Sequence, residues 1–344
     1  MKNVAYWACI VVLVFVTACG PARLDQKKKH FLHKGNLSFK EKMYQDAIRY
    51  YREALLIDST FAQAYNNLGI VYYKTGKLDL ALQAYSNCIL YDDNFDDVYY
   101  NRSSVYYEMG QFRSAIDDLN IQQKISNDLT GKIQFAKGLS FFALPQYDSA
   151  KYAFEQALEV DTTNVEIYIN LANTYFKLND LEAAETLVSN AMVIESRSSE
   201  AYNLMGMIAA EQQNFDEAFQ YYRQGLEIES NNAYIFNNRG YLHMEMGKLD
   251  LALADINESI MINPENPWAY LYKGLYYLRM KDNENAERLL LQSVKMDKKL
   301  ATGYLNLGYL YLQTGKASDA CSSLQKAADL GDSEASKLLK ENCQ

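Results

Sequence analysis

Proline is scarce in this 344-residue chain, at four residues, and glycine contributes only 16. So few turn formers exclude a collagen-like chain and a low-complexity linker, and they argue against an all-β protein that must reverse direction every ten residues or so. Two tryptophans and three histidines leave little material for a histidine-built metal centre. Charged residues make up 22% and hydrophobic residues 49%, which is too apolar and too weakly charged for disorder. Long helices remain. The net charge of −9 offers no cationic surface to displace counterions, so nucleic acid is not an expected partner. Tyrosine alone is in surplus, with 29 copies, and so many phenol rings need a placing rule.

Val4 to Ala18 is uncharged and mostly apolar, preceded by Lys2 and followed by Cys19-Gly20-Pro21. Such a stretch rises only ~22 Å as a helix, short of the ~30 Å hydrocarbon core, so it reads as a signal-peptide apolar region and not a span. Val16-Thr17-Ala18-Cys19 resembles the bacterial lipobox, an aliphatic residue and two small ones before an invariant Cys. The resemblance implies a lipoprotein signal peptide over 1–18, lipidation of Cys19, and a tether over 19–27 that holds the rest of the chain at a membrane of the cell envelope. Two or more acyl chains make a stable anchor. Gly20 stands where an Asp would favour the inner membrane, so the outer membrane is expected, with the rest of the chain periplasmic or surface-exposed. The alternative is an ordinary signal peptide that happens to contain a Cys. Lys27-Lys28-Lys29 reads as a solvated part of the tether, with contact to anionic lipid headgroups as the other reading.

Beyond the leader the chain repeats itself. Gly35, Gly69, Ser103, Gly138, Ala172, Gly206, Gly240, Gly274 and Gly308 follow one another at 34 residues, with one interval of 35. Twelve residues after each stands an alanine, from Ala47 to Ala320, and four before it a ring in every case except Gln134. Three after it come Tyr72, Tyr106, Phe141, Tyr175, Tyr277 and Tyr311, replaced elsewhere by Ser38, Ala209 and His243. Tyr65, Leu68, Gly69 and Tyr72 fall at i, i+3, i+4, i+7, and Ala81, Tyr85 and Cys88 at i, i+4, i+7, which describes two amphipathic helices per repeat. Gly76, Gly110, Gly247 and Gly315 are suited to the turn between them. The small residue on the first helix and the alanine on the second are expected to mark where the two helices approach.

This pattern resembles the tetratricopeptide repeat, or TPR, whose period is 34 and whose signature is a ring, Leu-Gly and Tyr on one helix, then Ala, an aromatic and Ala on the next. The resemblance implies an all-α, right-handed superhelical solenoid of nine helix-turn-helix repeats over 28–334, with a C-terminal capping helix over 335–344. The repeats run 28–61, 62–95, 96–129, 131–164, 165–198, 199–232, 233–266, 267–300 and 301–334. Repeats three and four are irregular: Gln122 replaces the late alanine, an extra residue falls near Gly131, and Pro145 replaces the turn glycine.

The repeats leave no room for a catalytic domain, and neither a phosphate loop nor a nucleophile motif occurs, so no enzymatic activity, cofactor or metal is expected. His30 and His33 read as surface residues, His243 as a packed one. Aspartates and glutamates near repeat ends are expected to cap helix N-termini. Cys88 takes a core position and reads as an inert buried thiol. Cys321 and Cys343 lie 10 and 12 residues either side of Gly331, so antiparallel helices bring them opposite each other, either bonded or as two free thiols. Asp58-Ser59-Thr60, Asp148-Ser149-Ala150 and Asp161-Thr162-Thr163 resemble the O-glycosylation acceptor of Bacteroidota.

In TPR proteins the first helices line a concave groove. The groove position implied by the family carries Asn67, Asn101, Asn170, Asn238 and Asn306, and a ladder of amides both donates and accepts, so it can pair with the backbone of an extended peptide. Asn is also the family's commonest residue there. Tyr73, Tyr100, Tyr107, Phe142, Phe176, Tyr241 and Tyr309 are candidate groove rings, with Phe135, Tyr234 and Tyr272 beside them. Lys132 and Arg279 are too scattered for the family's carboxylate clamp. The sequence therefore reads as a lipid-anchored scaffold of the cell envelope that binds a protein or peptide, with a glycan- or peptidoglycan-associated module as the alternative.

Overall fold

The computed structural model describes residues 22–125 and 130–343. These form helices and no strand. They fall into two compact units, one ending at Leu178 and the other beginning at Asn179. The first unit holds α1 (22–40), α2 (Tyr44–Ile57), α3 (Ala62–Lys74), α4 (Leu78–Tyr91), α5 (Val98–Glu108), α6 (Phe112–Ile125), α7 (Thr130–Ala143), α8 (Tyr147–Val160) and α9 (Val165–Lys177). The second holds α10 (Leu181–Ile194), α11 (Ser199–Glu211), α12 (Phe215–Ile228), α13 (Ala233–Glu245), α14 (Leu249–Ile262), α15 (Pro267–Arg279), α16 (Asn283–Met296), α17 (Ala301–Gln313), α18 (Ala317–Asp329) and α19 (Ser333–Asn342). Odd-numbered helices are the first of each repeat and even-numbered ones the second, with α19 closing the second unit two residues earlier than the 34-residue period places it.

Within each unit every helix packs on the one before and after it. First helices also approach the next first helix, as in α3 with α5, α5 with α7, α13 with α15 and α15 with α17, whereas among the described residues second helices come no closer to one another than 8 Å between Cα atoms. Each unit therefore closes on its first-helix side. Gly76, Gly110, Gly247 and Gly315 end first helices at φ +71° to +73°, a left-handed conformation that glycine adopts without strain.

The close approach within a hairpin involves a third residue besides the expected glycine and alanine, which do meet at Gly240, where an added Cβ lies 3.2 Å from the Ala252 carbonyl oxygen. A Cβ added at Gly69 would meet the Tyr85 ring at 2.5 Å, at Gly138 the Phe154 ring at 2.5 Å, and at Gly206 the Tyr222 ring at 2.4 Å. The small residue makes room for the side chain sixteen positions later. At all nine such places that side chain is buried: Tyr51, Tyr85, Leu119, Phe154, Val188, Tyr222, Ile256, Leu290 and Leu324. The alanines, none more than 1% exposed, form the floor beside it.

Residues 22–27 of the expected tether are helical, and Asp25 pairs with Lys28 and Lys29 at 3.4 and 2.8 Å along one helix face. Lys28 departs from the solvated reading: its ammonium lies 2.5 Å from Asp58 Oδ2 and 4.7 Å from the Phe61 ring centroid. Of the aspartates at repeat ends, Asp332 caps the N-terminus of α19 as expected, whereas four others serve a different end. Asp58, Asp92, Asp161 and Asp297 stand at the C-caps of second helices and accept from the backbone N–H two residues on. The N-caps that accept a backbone hydrogen bond are Asn164, Asp180, Ser198, Asn232, Asn266, Asp282 and Asp332.

The last helix is tied down. Cys321 on α18 and Cys343 at the C-cap of α19 form a disulfide with Cα atoms 5.6 Å apart. Leu338 and Leu339 pack over Leu305, Leu324 and Ala327 beneath it.

Candidate functional site

The inner faces of the first helices carry the candidate residues, because the repeat period returns the same helical positions to the same side. All five ladder asparagines are half-buried, and each spends an amide hydrogen inside the protein. Three bond across repeats: Asn67 to Asn36 at 2.8 Å, Asn101 to Asn66 at 3.3 Å and Asn238 to Asn203 at 2.9 Å. Asn170 and Asn306 instead donate to carbonyls of their own helices, Glu166 and Thr302, each at 2.8 Å. The ladder is thus partly a staple between neighbouring first helices. An amide has two N–H donors and a carbonyl, so each keeps capacity for a ligand.

The rings divide into two groups. Tyr107 sits edge-on to Phe112 at 5.3 Å and Phe142 to Tyr147 at 5.5 Å; both fold over the turn onto the residue that opens the second helix. These rings hold the hairpin. Tyr73 is half-buried, its phenol pushed up by burial and by Glu108 and Tyr100 close by. Tyr100 lines a cavity of about 250 Å³ with Lys132, Phe135, Asp161 and Asn164. Phe176 is half-buried with the Lys177 ammonium 5.9 Å from its centroid. Tyr309 donates to Glu334 of the closing helix.

The second unit carries the more open patch. Tyr241 stacks on Tyr272 at 4.6 Å, and Trp268 leans on Tyr272 at 6.1 Å. Tyr234, Tyr241 and Trp268 are 58%, 37% and 36% exposed. Sequence reasoning missed Trp268, although it occupies in repeat eight the position that Tyr234 takes in repeat seven. Arg279 is not available as a clamp, since it donates to the Met244 carbonyl and pairs with Glu245.

These recurring hairpins agree with what sequence comparison returns. Models of the tetratricopeptide repeat match residues 141–208, 62–95, 96–126, 233–266 and 271–335, and a further TPR repeat model matches 35–76 and 206–247. The chain belongs to the tetratricopeptide repeat family. No curated protein matches it significantly. Among solved structures, an IFIT1 mutant is similar at TM-score 0.57 and 19% identity, over 80% of this chain and 71% of that one. PilF of Pseudomonas aeruginosa gives 0.53 and 18%, over 62% and 96%, and the Cut9–Hcn1 assembly of APC/C gives 0.53 and 14%, over 90% and 75%. At such identities these likenesses show the TPR fold alone. TPR arrays are protein-interaction scaffolds, and that is the coarse function family membership supports.

The remaining candidates are placed as follows. Cys19 lies outside the described residues. His30 and His33 are exposed on α1, and no group of three or more His, Cys, Asp or Glu suited to a metal ion occurs among the described residues. Cys88 is fully buried, and burial pushes its thiol up to about 12, so it stays protonated and unreactive. His243 stacks on Phe219 at 4.5 Å. Asp58 and Asp161 of the glycosylation-like triplets accept hydrogen bonds from the hydroxyls of Thr60 and Thr163, each at 2.8 Å. The third triplet lies inside α8.

Proposed function

We propose that this TPR protein is a lipid-anchored scaffold of the bacterial cell envelope, holding a protein or peptide partner against the inner faces of its first helices. One observation carries the reading: half-buried asparagines recur at one inner-face position of repeats two, three, five, seven and nine, flanked by aromatic rings. Side-chain amides at a repeat spacing suit an extended backbone, and rings suit its side chains. The lipobox-like Val16 to Cys19 supports the anchor.

The test is photo-crosslinking in intact envelopes from positions 67 and 238, compared with Cys19→Ser protein. A polypeptide partner at either position, with Cys19→Ser protein released from membranes, is the expected outcome. Retention of the Cys19→Ser form refutes the anchor, and absence of any crosslinked protein refutes the scaffold. Trp268 and Tyr234 favour a second reading, because exposed ring faces also stack on sugars. Recovery of glycan fragments alone selects that one.

A further inference from the structure

Repeats three and seven share a charged device that the groove does not use. In repeat three Arg102 grips Asp118 with Nε and Nη2, both at 2.7 Å, and gives Nη1 to Ser86 Oγ at 3.2 Å. In repeat seven, at the same repeat positions, Arg239 grips Asp255 with Nε and Nη2, again at 2.7 Å. Each residue of the second set lies 137 positions after its counterpart, so the place of Ser86 is taken by Arg223, of Tyr106 by His243 and of Leu82 by Phe219.

Those replacements change what surrounds the guanidinium. Among the described residues Arg239 Nη1 has no acceptor, and a cation, Arg223, takes the repeat position of the acceptor Ser86. His243 Nδ1 is buried with no hydrogen-bond partner, and its Nε2 stands 3.8 Å from Asp255 Oδ2. Between them lies a cavity of about 270 Å³ lined by Phe219, Gln220, Arg223, Arg239 and His243. Arg223 reaches only the exposed Glu227, at 3.8 Å, and Lys248 adds another cation 5.5 Å from the Phe219 ring.

Two guanidinium groups and the cavity they line share one chemical preference. We infer that this cleft between α12 and α13 binds an oxyanion, a phosphate or carboxylate group, bridging Arg223 and Arg239 Nη1 beside the His243 ring. Planar guanidinium groups recognise such oxygens in pairs. Arg239 and Asp255 offset each other's charge, so the net positive charge at the cavity comes from Arg223 and from Lys248 nearby. In the empty site burial holds the His243 pKa below the ordinary imidazole value, with Asp255 raising it and Arg239 and Lys248 lowering it. Gln220 and Phe219 on α12 bring no charge. A bound anion therefore raises the His243 pKa.

The experiment follows the His243 imidazole resonances of the whole soluble chain during separate titrations with inorganic phosphate and with acetate, against chloride at equal ionic strength. A saturable shift and a raised His243 pKa are expected. Phosphate acting alone assigns a phosphate-bearing ligand, and acetate acting as well assigns a carboxylate-bearing one. Arg223→Ser copies the Ser86 arrangement at an exposed position, so the fold is retained while binding weakens about tenfold or more through loss of one charge-assisted contact. Shifts that follow ionic strength identically in chloride, or that persist unchanged in Arg223→Ser, overturn the assignment.

Discussion

Gly69→Ala tests the packing rule of the hairpin. The new methyl would stand 2.5 Å from Cε1 and 2.6 Å from Cδ1 of Tyr85, so the ring must retreat by about 1 Å to reach ordinary contact at 3.4 Å. Tyr85 is 2% exposed, and its ring is rigid, with Val71, Tyr72, Ala81 and Cys88 in the same core cluster. Overpacking of this kind costs about 1–3 kcal/mol, and enclosure of a rigid ring places it near the top. Replacing a helical glycine by alanine returns about 1 kcal/mol, leaving a net loss of about 2 kcal/mol. Tyr85→Val alone opens a cavity and costs about 3 kcal/mol. The double variant reproduces the Ala172 and Val188 combination that repeat five already uses, so it should be less destabilised than the two changes added, by about 2 kcal/mol. Urea unfolding, with native-state hydrogen exchange of α3 and α4 amides, measures all three. Additive losses, or a neutral Gly69→Ala, refute the size-matching rule.

The two ends of the array give further expectations. Cys343→Ser opens a loop of sequence separation 22, which releases about 3 kcal/mol of chain-entropy constraint; α19 amides should then exchange quickly while α15 amides do not, and unchanged α19 protection counts against the restraint. At the other end Lys28 and the Thr60 bonds hold the Asp58 carboxyl at about 2 instead of 3.8. A carboxylate whose folded pKa is depressed contributes stability above 3.8 that disappears as pH falls towards 2. Lys28→Met should flatten that part of the urea midpoint profile, and parallel profiles below pH 4 would show that the ion pair contributes nothing.

Much of the fold was legible because a 34-residue period leaves few ways to arrange two helices. Gly35 to Gly308 and Ala47 to Ala320 mark the hairpins and their turns. What escaped was pairing across the hairpin. The partner of each small residue varies among Tyr, Phe, Leu, Ile and Val, so no single residue type announces it. Tyr107 and Phe142 were read as groove rings, and position alone does not announce that each also packs edge-on over its own turn. The asparagines were legible as a series, but their bonds to Asn36, Asn66 and Asn203 depend on neighbouring first helices coming within amide reach. Lys28 was read as solvated because its partner lies thirty residues on, at a loop whose approach only the folded chain reveals.

Close backbone approach among first helices, without the same among the described second helices, has a mechanical consequence. Within each unit the hairpins are bound most closely along one edge like the leaves of a book, so bending is easiest about that edge, against side-chain ties such as Lys316 to Glu287 on the other. Asn67, Asn101 and Asn238 sit on the binding edge and cross it with hydrogen bonds. A ligand that recruits those amides therefore alters the spring constant of the unit as it binds. Grip and compliance are set by the same side chains.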